Sequence, residues 1–111
     1  MMEHSVQREM IHEIGHSLDI QLNENILLDQ LRARMIVRIN QLIQKNFNAL
    51  VLVLYRVDVS EAKLKYLLKT NKDNDAASII ADLIIERQLQ KIETRKKFSQ
   101  ENRDIPEDEK W

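Results

Sequence analysis

The sequence feature that most limits the possible folds is an apolar run near the middle of the chain. Residues 49–55 read ALVLVLY, and they lie within the longer segment 47–68. Removing apolar side chains from water is the main favourable term in folding, so a run of this density has to contact the core of the protein. The rest of the chain is therefore expected to pack around it.

The secondary structure of this run is ambiguous by pattern. Val51, Val53 and Tyr55 alternate with leucines, as in a strand that is buried on both faces. A strand needs a partner, and the only other strand-like segment is the weak alternation at 18–22. Because short apolar runs do not decide between helix and strand, we predict a short buried helix at residues 49–57. The alternative is a strand that pairs with a second chain.

The scarcity of glycine and proline favours helices elsewhere. The 111 residues contain one glycine and one proline, whereas the tight turns of antiparallel sheets usually need these residues or asparagine. A charged content of 32% suits long helices with solvated faces. From apolar spacings of three and four we predict an all-α fold, an irregular bundle of about four to five helices, with segments 2–18, 26–45, 49–57, about 60–69 and about 76–98.

These segments are expected to form one domain, since a chain of this length suffices for a single core. We assign residues 1–98 to the helical domain and 99–111 to a flexible, disordered acidic tail, which is dense in charge and poor in apolar residues. Short polar residues between the segments are the expected helix caps. The candidates are Asn23 or Asn25, Asn46 or Asn48, Asp58 or Ser60, with Asp58 and Glu61 at a capping-box spacing, and Asn74 or Asp75.

One motif in the first segment has the form of a metal site. His12, Glu13 and His16 fit the pattern HExxH, and the wider HEIGHSL resembles the active-site helix of zincin metallopeptidases. Two histidines four residues apart lie on one helical face and can both reach a zinc ion, while the glutamate acts as general base on the bound water. The resemblance implies that His12 and His16 are zinc ligands and that Glu13 is the base.

The surrounding residues depart from the zincin pattern. Asp19 and Leu22 occupy the positions where one branch of that family has a glycine and a third histidine. Residues 30–57 contain no aspartate or glutamate, so the acidic third ligand of the other branch is missing as well. We therefore expect no catalytic residue, no cofactor and no bound metal, and we keep the zinc-dependent hydrolase that uses His12, Glu13 and His16 as an alternative.

The charges of the chain point to no particular partner. The net charge is −1, and there is no cysteine for a disulfide or a thiolate metal site. Two groups of cations stand out, and we expect both to be solvated or paired with neighbouring acids, with nucleic-acid binding as a further alternative. The first group is Arg32, Arg34, Arg38, Lys45 and Arg56, and the second is Lys91, Arg95, Lys96 and Lys97.

No secretory signal or bilayer-spanning run is apparent, so a cytoplasmic location without membrane contact is expected. The segments LYRVDVSEAKLKYLL and IADLIIERQLQK resemble small helical bacterial proteins of uncharacterised role, which implies an all-helical fold and no specific activity. A chain this small is expected to leave part of the apolar run exposed to solvent, and a second copy would bury it. We therefore predict a non-enzymatic protein-interaction or assembly module that forms a homodimer. The predicted interaction residues are Leu50, Leu52, Leu54 and Tyr55.

Overall fold

Five α-helices occupy the part of the chain that the computed structural model describes, which comprises the backbone of residues 4–103 and the side chains of residues 5–98. No strand occurs within these residues, so the predicted all-α fold is confirmed. None of these helices combines the length and the apolar content that crossing a bilayer requires. The helices are α1 His4–Leu18, α2 Leu28–Lys45, α3 Phe47–Val57, α4 Glu61–Thr70 and α5 Ala76–Arg103.

The central apolar run is helical, as predicted, and forms most of α3. Leu50, Val53 and Val57 share one face of this helix and are buried. The helix begins after a single residue, Asn46, whose side chain accepts a hydrogen bond from the backbone N–H of Ala49 at 3.2 Å. The helix satisfies its own backbone groups, whereas a strand would need a partner that the chain does not provide. The alternative of an intermolecular strand is therefore wrong.

The packing centre of the fold is α5, which contacts each of the other four helices. Its first half combines large apolar residues with the small residues Ala77 and Ala81, both fully buried, which allow neighbouring helices to approach closely. Largest among the fully buried side chains are Met10, Ile14 and Leu18 of α1, Leu31, Met35 and Ile39 of α2, Leu50 and Val57 of α3, and Ile84 and Ile92 of α5.

The loop between α1 and α2 is fastened by arginines of α2. The Arg38 Nε donates to the backbone carbonyl of Leu18 at 2.9 Å, and an Arg34 Nη donates to the carbonyl of Gln21 at 2.9 Å. Both acceptors lie at or just after the C-terminal end of α1, where a cation also complements the helix dipole. These guanidinium groups therefore have a structural role in holding α1 against α2.

Two predicted caps are wrong. Neither Asn23 nor Asn25 caps α2, which begins after the extended residue Leu27 without a side-chain cap, and Asn23 instead accepts a hydrogen bond from the N–H of Asn25. Asp58 does not open a capping box with Glu61. It ends α3 in the left-handed conformation, with φ of 65°, and Ser60 caps α4 by accepting from the N–H of Lys63.

Helix α4 is attached more loosely than the others. It has no buried residue, and among the described helices it packs only against α5. Polar contacts join α5 to α4 and to the link before it. Lys63 of α4 lies 2.8 Å from Glu86, and Arg87 donates to both the carbonyl and the side chain of Asp58 in the link. Although α3 and α4 are joined by only three residues, the two helices therefore diverge.

The last helix is longer than predicted. The polar sequence after residue 98 was expected to end it, but α5 continues to Arg103 and takes in the first residues of the predicted tail. The remainder of that tail, residues 104–111, lies outside the described residues, and the domain boundary at residue 98 stays a prediction.

Core packing on α2 gives a direct test of this fold. Ile39 is fully buried, whereas the side chain of Val37, on the same helix, is 59% exposed. We expect Ile39→Ala to lower the free energy of unfolding by about 2–5 kcal/mol, because it removes three buried carbons and leaves a cavity. The matched change Val37→Ala should stay within about 0.5 kcal/mol of the unchanged chain. Urea unfolding followed by circular dichroism at 222 nm measures both, and equal effects would contradict the packing.

Candidate functional site

The HExxH motif lies on the exposed side of α1. His12 and His16 are exposed, and both line an open groove of about 810 Å³ between α1 and the loop that follows it. Arg8, Glu9 and Glu24 also line this groove. The i, i+4 spacing thus places both imidazoles at one site, as the sequence predicted.

Glu13 is engaged by a cation of α5. The Arg95 Nη2 lies 3.9 Å from the carboxylate of Glu13 and 3.3 Å from that of Glu9, one helical turn earlier. These ion pairs bridge α1 and α5 at the surface of the bundle, where each contributes little to stability. Glu13, which the motif would use as a general base, is thus part of an ion pair between α1 and α5.

The described side chains place no third metal ligand near the two histidines. Among the side chains that the structure describes, no group of three histidine, cysteine, aspartate or glutamate residues is arranged to hold a metal ion. Zinc sites in proteins use three or four such ligands. The zinc-dependent hydrolase with ligands His12 and His16 and base Glu13 therefore remains an alternative. The described side chains supply two of the three or four ligands that it needs.

The glycine within the motif has a packing role. A Cβ atom on Gly15 would lie 3.1 Å from the backbone oxygen of Ile20 and 3.4 Å from the Cδ1 of Leu22. The N–H of Ile20 also donates to the carbonyl of Gly15 at 3.0 Å, so the chain folds back tightly against this position. The close return of the backbone accounts for a glycine here without reference to a substrate.

A second site lies between α3 and α4, where the divergence of the helices leaves an apolar groove of about 460 Å³. We call this the α3–α4 groove. Its floor and one wall come from the half-buried residues Leu54, Val59 and Leu64. Its outer wall on α3 is formed by Phe47, Val51 and Tyr55, which are 60, 42 and 85% exposed.

The four residues predicted as an interaction surface occupy different environments. Leu50 is buried in the core and therefore stabilises the chain itself. Leu54 is half-buried in the α3–α4 groove, and Tyr55 lines the same groove. Leu52 is 58% exposed and lies about 100° further round α3 than Val51. Leu52, Leu54 and Tyr55 are thus accessible to a partner, whereas Leu50 is not.

Sequence reasoning missed Phe47, Val51 and Leu64 as parts of this site. The signal was available for α3, because Phe47, Val51 and Tyr55 recur every four residues and so form a stripe beside the buried one. A helix as apolar as α3 carries two such stripes, and periodicity alone does not show which one is buried. The contribution of Leu64 depends on how α4 is oriented, which the local pattern does not specify.

The cations of the acid-free interval are largely committed to internal contacts. Arg32 makes two hydrogen bonds to Asp82, at 2.7 and 3.1 Å. This hydrogen bonding, together with the negative charge of Asp82, raises the pKa of the Arg32 guanidinium above its ordinary value. Arg34 and Arg38 bind loop carbonyls, as described above. The first group of cations therefore forms no continuous track for phosphates on α2.

Comparisons of the chain with protein-family models, with curated proteins and with solved structures gave no match.

Metal analysis tests the histidine pair directly. Because two imidazoles on an open surface form a weak chelate, we expect zinc loaded onto the chain to be lost on dialysis against a metal-free buffer. Inductively coupled plasma mass spectrometry of the dialysed protein measures the remaining zinc. Retention of one zinc per chain, and its loss in His16→Ala, would show a true site and overturn this expectation.

Proposed function

We propose that the chain is a non-enzymatic assembly module that forms a homodimer through the α3–α4 groove. The observation that carries this proposal is the apolar groove itself, which no other described part of the chain covers. Exposed apolar surface of this kind, rimmed by polar residues, is typical of interaction sites in soluble proteins.

The composition of the groove suits protein contact. Phe47 and Tyr55 are aromatic, and Val51 lies between them on the same stripe. Aromatic side chains bury a large area for few rotatable bonds and are enriched at the centres of interfaces. Burial of apolar surface contributes about 25 cal/mol per Å², so covering these side chains is a favourable term for association.

The spacing of the stripe favours a second copy as the occupant. Phe47 and Tyr55 lie four residues before and after Val51, which corresponds to about 6 Å in each direction along the helix axis. A two-fold axis through Val51 would place Phe47 of each copy beside Tyr55 of the other. In a two-fold interface the same patch meets itself, and an arrangement symmetric about one residue satisfies that condition.

The rim of the groove is also compatible with self-association. Glu61 and Lys65 form an i, i+4 ion pair at 3.0 Å, and both line the groove together with Asp58. Because each copy presents both signs of charge, two copies can pair opposite charges around an apolar centre. A partner of uniform charge would gain less from this rim.

Sedimentation velocity of matched variants tests the proposal. We expect the unchanged chain to sediment as a dimer at tens of micromolar and to dissociate on dilution. Val51→Arg should shift it to a monomer, because it places a charge at the centre of the contact, where removing a charge from water costs several kcal/mol. Val37→Arg, on an exposed position of α2, introduces the same charge and should leave the dimer intact.

Circular dichroism and thermal unfolding of the same variants distinguish lost association from lost folding. Both arginine variants are expected to keep the helical spectrum of the unchanged chain, since neither replaced valine is buried. The proposal fails if the unchanged chain is monomeric at all concentrations up to about 100 µM, since a Kd above that value corresponds to less than about 5.5 kcal/mol of association free energy. It also fails if Val51→Arg remains dimeric while folded.

A further inference from the structure

We infer that a second cavity, between α1 and α5, binds a small molecule that carries phosphate. This α1–α5 cavity is an open depression with a volume of about 490 Å³, and Arg56 in the last turn of α3 also lines it. Its size falls within the range of small-molecule sites in proteins. It is separate from the α3–α4 groove, so the inference does not depend on the homodimer.

The lining of the α1–α5 cavity is cationic, although the chain as a whole carries a net charge of −1. Among the described residues, four side-chain cations line it, and Glu13 is the one carboxylate that does so. The cations come from two helices and converge on one space. They are Arg56 of α3 and Arg87, Lys91 and Arg95 of α5.

Two of these cations have no carboxylate partner among the described residues. Arg87 is paired with Asp58 and Arg95 with Glu9 and Glu13. In contrast, the Lys91 Nζ donates only to the backbone carbonyl of Arg56, at 3.2 Å, and the Arg56 guanidinium makes no hydrogen bond or ion pair with the described residues. Lys91 and Arg56 therefore supply positive charge that no described carboxylate compensates.

The amide of a largely buried residue, Gln88, opens onto the same cavity. Gln88 is 4% exposed and is the one buried polar residue among the described side chains, yet its amide makes no hydrogen bond to any of them. Gln88 lines the cavity, so the small exposed part of its side chain faces that space. No buried side-chain nitrogen or oxygen among the described residues lacks a partner, so the Gln88 amide itself reaches the open space of the cavity, where its N–H can donate to a ligand oxygen.

These donors suit a small ligand that carries phosphate better than they suit a nucleic-acid strand. Several charged donors from different helices match a group with three or more charged oxygens, and arginine and lysine both bind phosphate strongly. The hydroxyl groups of Ser17 and Thr94 line the cavity as further donors. Among the described residues, His16 supplies the one aromatic ring of the lining and no phenylalanine, tyrosine or tryptophan lines it, so the site lacks the series of stacking rings that single-stranded nucleic acids use.

Binding of inorganic pyrophosphate to the full chain tests the inference. We expect isothermal titration calorimetry in phosphate-free buffer to show saturable binding of one pyrophosphate per chain. We also expect pyrophosphate to raise the midpoint of thermal unfolding more than sodium chloride of the same ionic strength does. Addition of pyrophosphate should shift the Gln88 side-chain amide resonances in a ¹⁵N-labelled sample.

Charge-removing variants locate the site. Lys91→Met and Arg56→Met should each weaken binding by about tenfold or more, because each removes a charge-assisted hydrogen bond. Lys69→Met, on the exposed side of α4, removes the same charge elsewhere and should leave the affinity unchanged. Arg56 is exposed and makes no side-chain contact that the fold needs, so Arg56→Met stays informative even where Lys91→Met lowers stability.

Three results would overturn the inference. The first is the absence of saturable binding, and the second is an equal loss of affinity in Lys69→Met and Arg56→Met, which would indicate general charge screening. The third is a single-stranded oligonucleotide that binds far more tightly than pyrophosphate at the same salt concentration, which would assign the cations to nucleic acid instead.

Discussion

Packing against α5 fixes the positions of all the other helices. Each of α1 to α4 contacts it, and the small residues Ala77 and Ala81 let neighbouring helices approach closely. Since α1, α2 and α3 also contact one another, they form with α5 a mutually supported set, whereas α4 depends on α5 alone among the described helices. Both candidate binding sites follow from this arrangement. The α3–α4 groove exists because α4 packs against α5 and not against α3. The α1–α5 cavity lies where α1 and the end of α3 meet the polar half of α5.

The fold was largely predictable from local pattern, but the sites were not. Apolar spacings of three and four predicted the segment 26–45 that forms α2, whose buried residues Leu31, Met35, Ile39 and Leu42 follow that spacing. Asn46 and Ser60, each one of two cap candidates, are the residues that cap α3 and α4. These features depend on periodicity and on short side chains at helix starts, which are local properties. Leu28 lies three residues before Leu31 and so fits the same spacing, yet it is 46% exposed, which shows that spacing alone does not fix where along α2 burial begins.

The wrong predictions concern residues whose environment depends on residues that are distant in the sequence. Asp58 has the chemistry of an N-cap, but Arg87, 29 residues later, binds its carbonyl and carboxylate and stabilises it as the end of α3. Leu50 and Val51 are adjacent and equally apolar, yet one is buried and the other borders a groove. Only the orientation of α3 against α1, α2 and α5 separates them. In the same way, the approach of Arg95 to Glu13 depends on how α1 crosses α5.

The weak attachment of α4 bears on the order in which the native structure opens. Amide hydrogen exchange reports local opening, and segments with few buried contacts exchange without global unfolding. Since α4 has no buried residue, its backbone amides should exchange first, while the remaining helices stay folded around α5. Opening of α4 removes one wall of the α3–α4 groove, so a partner seated there would also protect α4 from exchange. The element that shapes the apolar groove is thus the one whose stability such a partner would increase most.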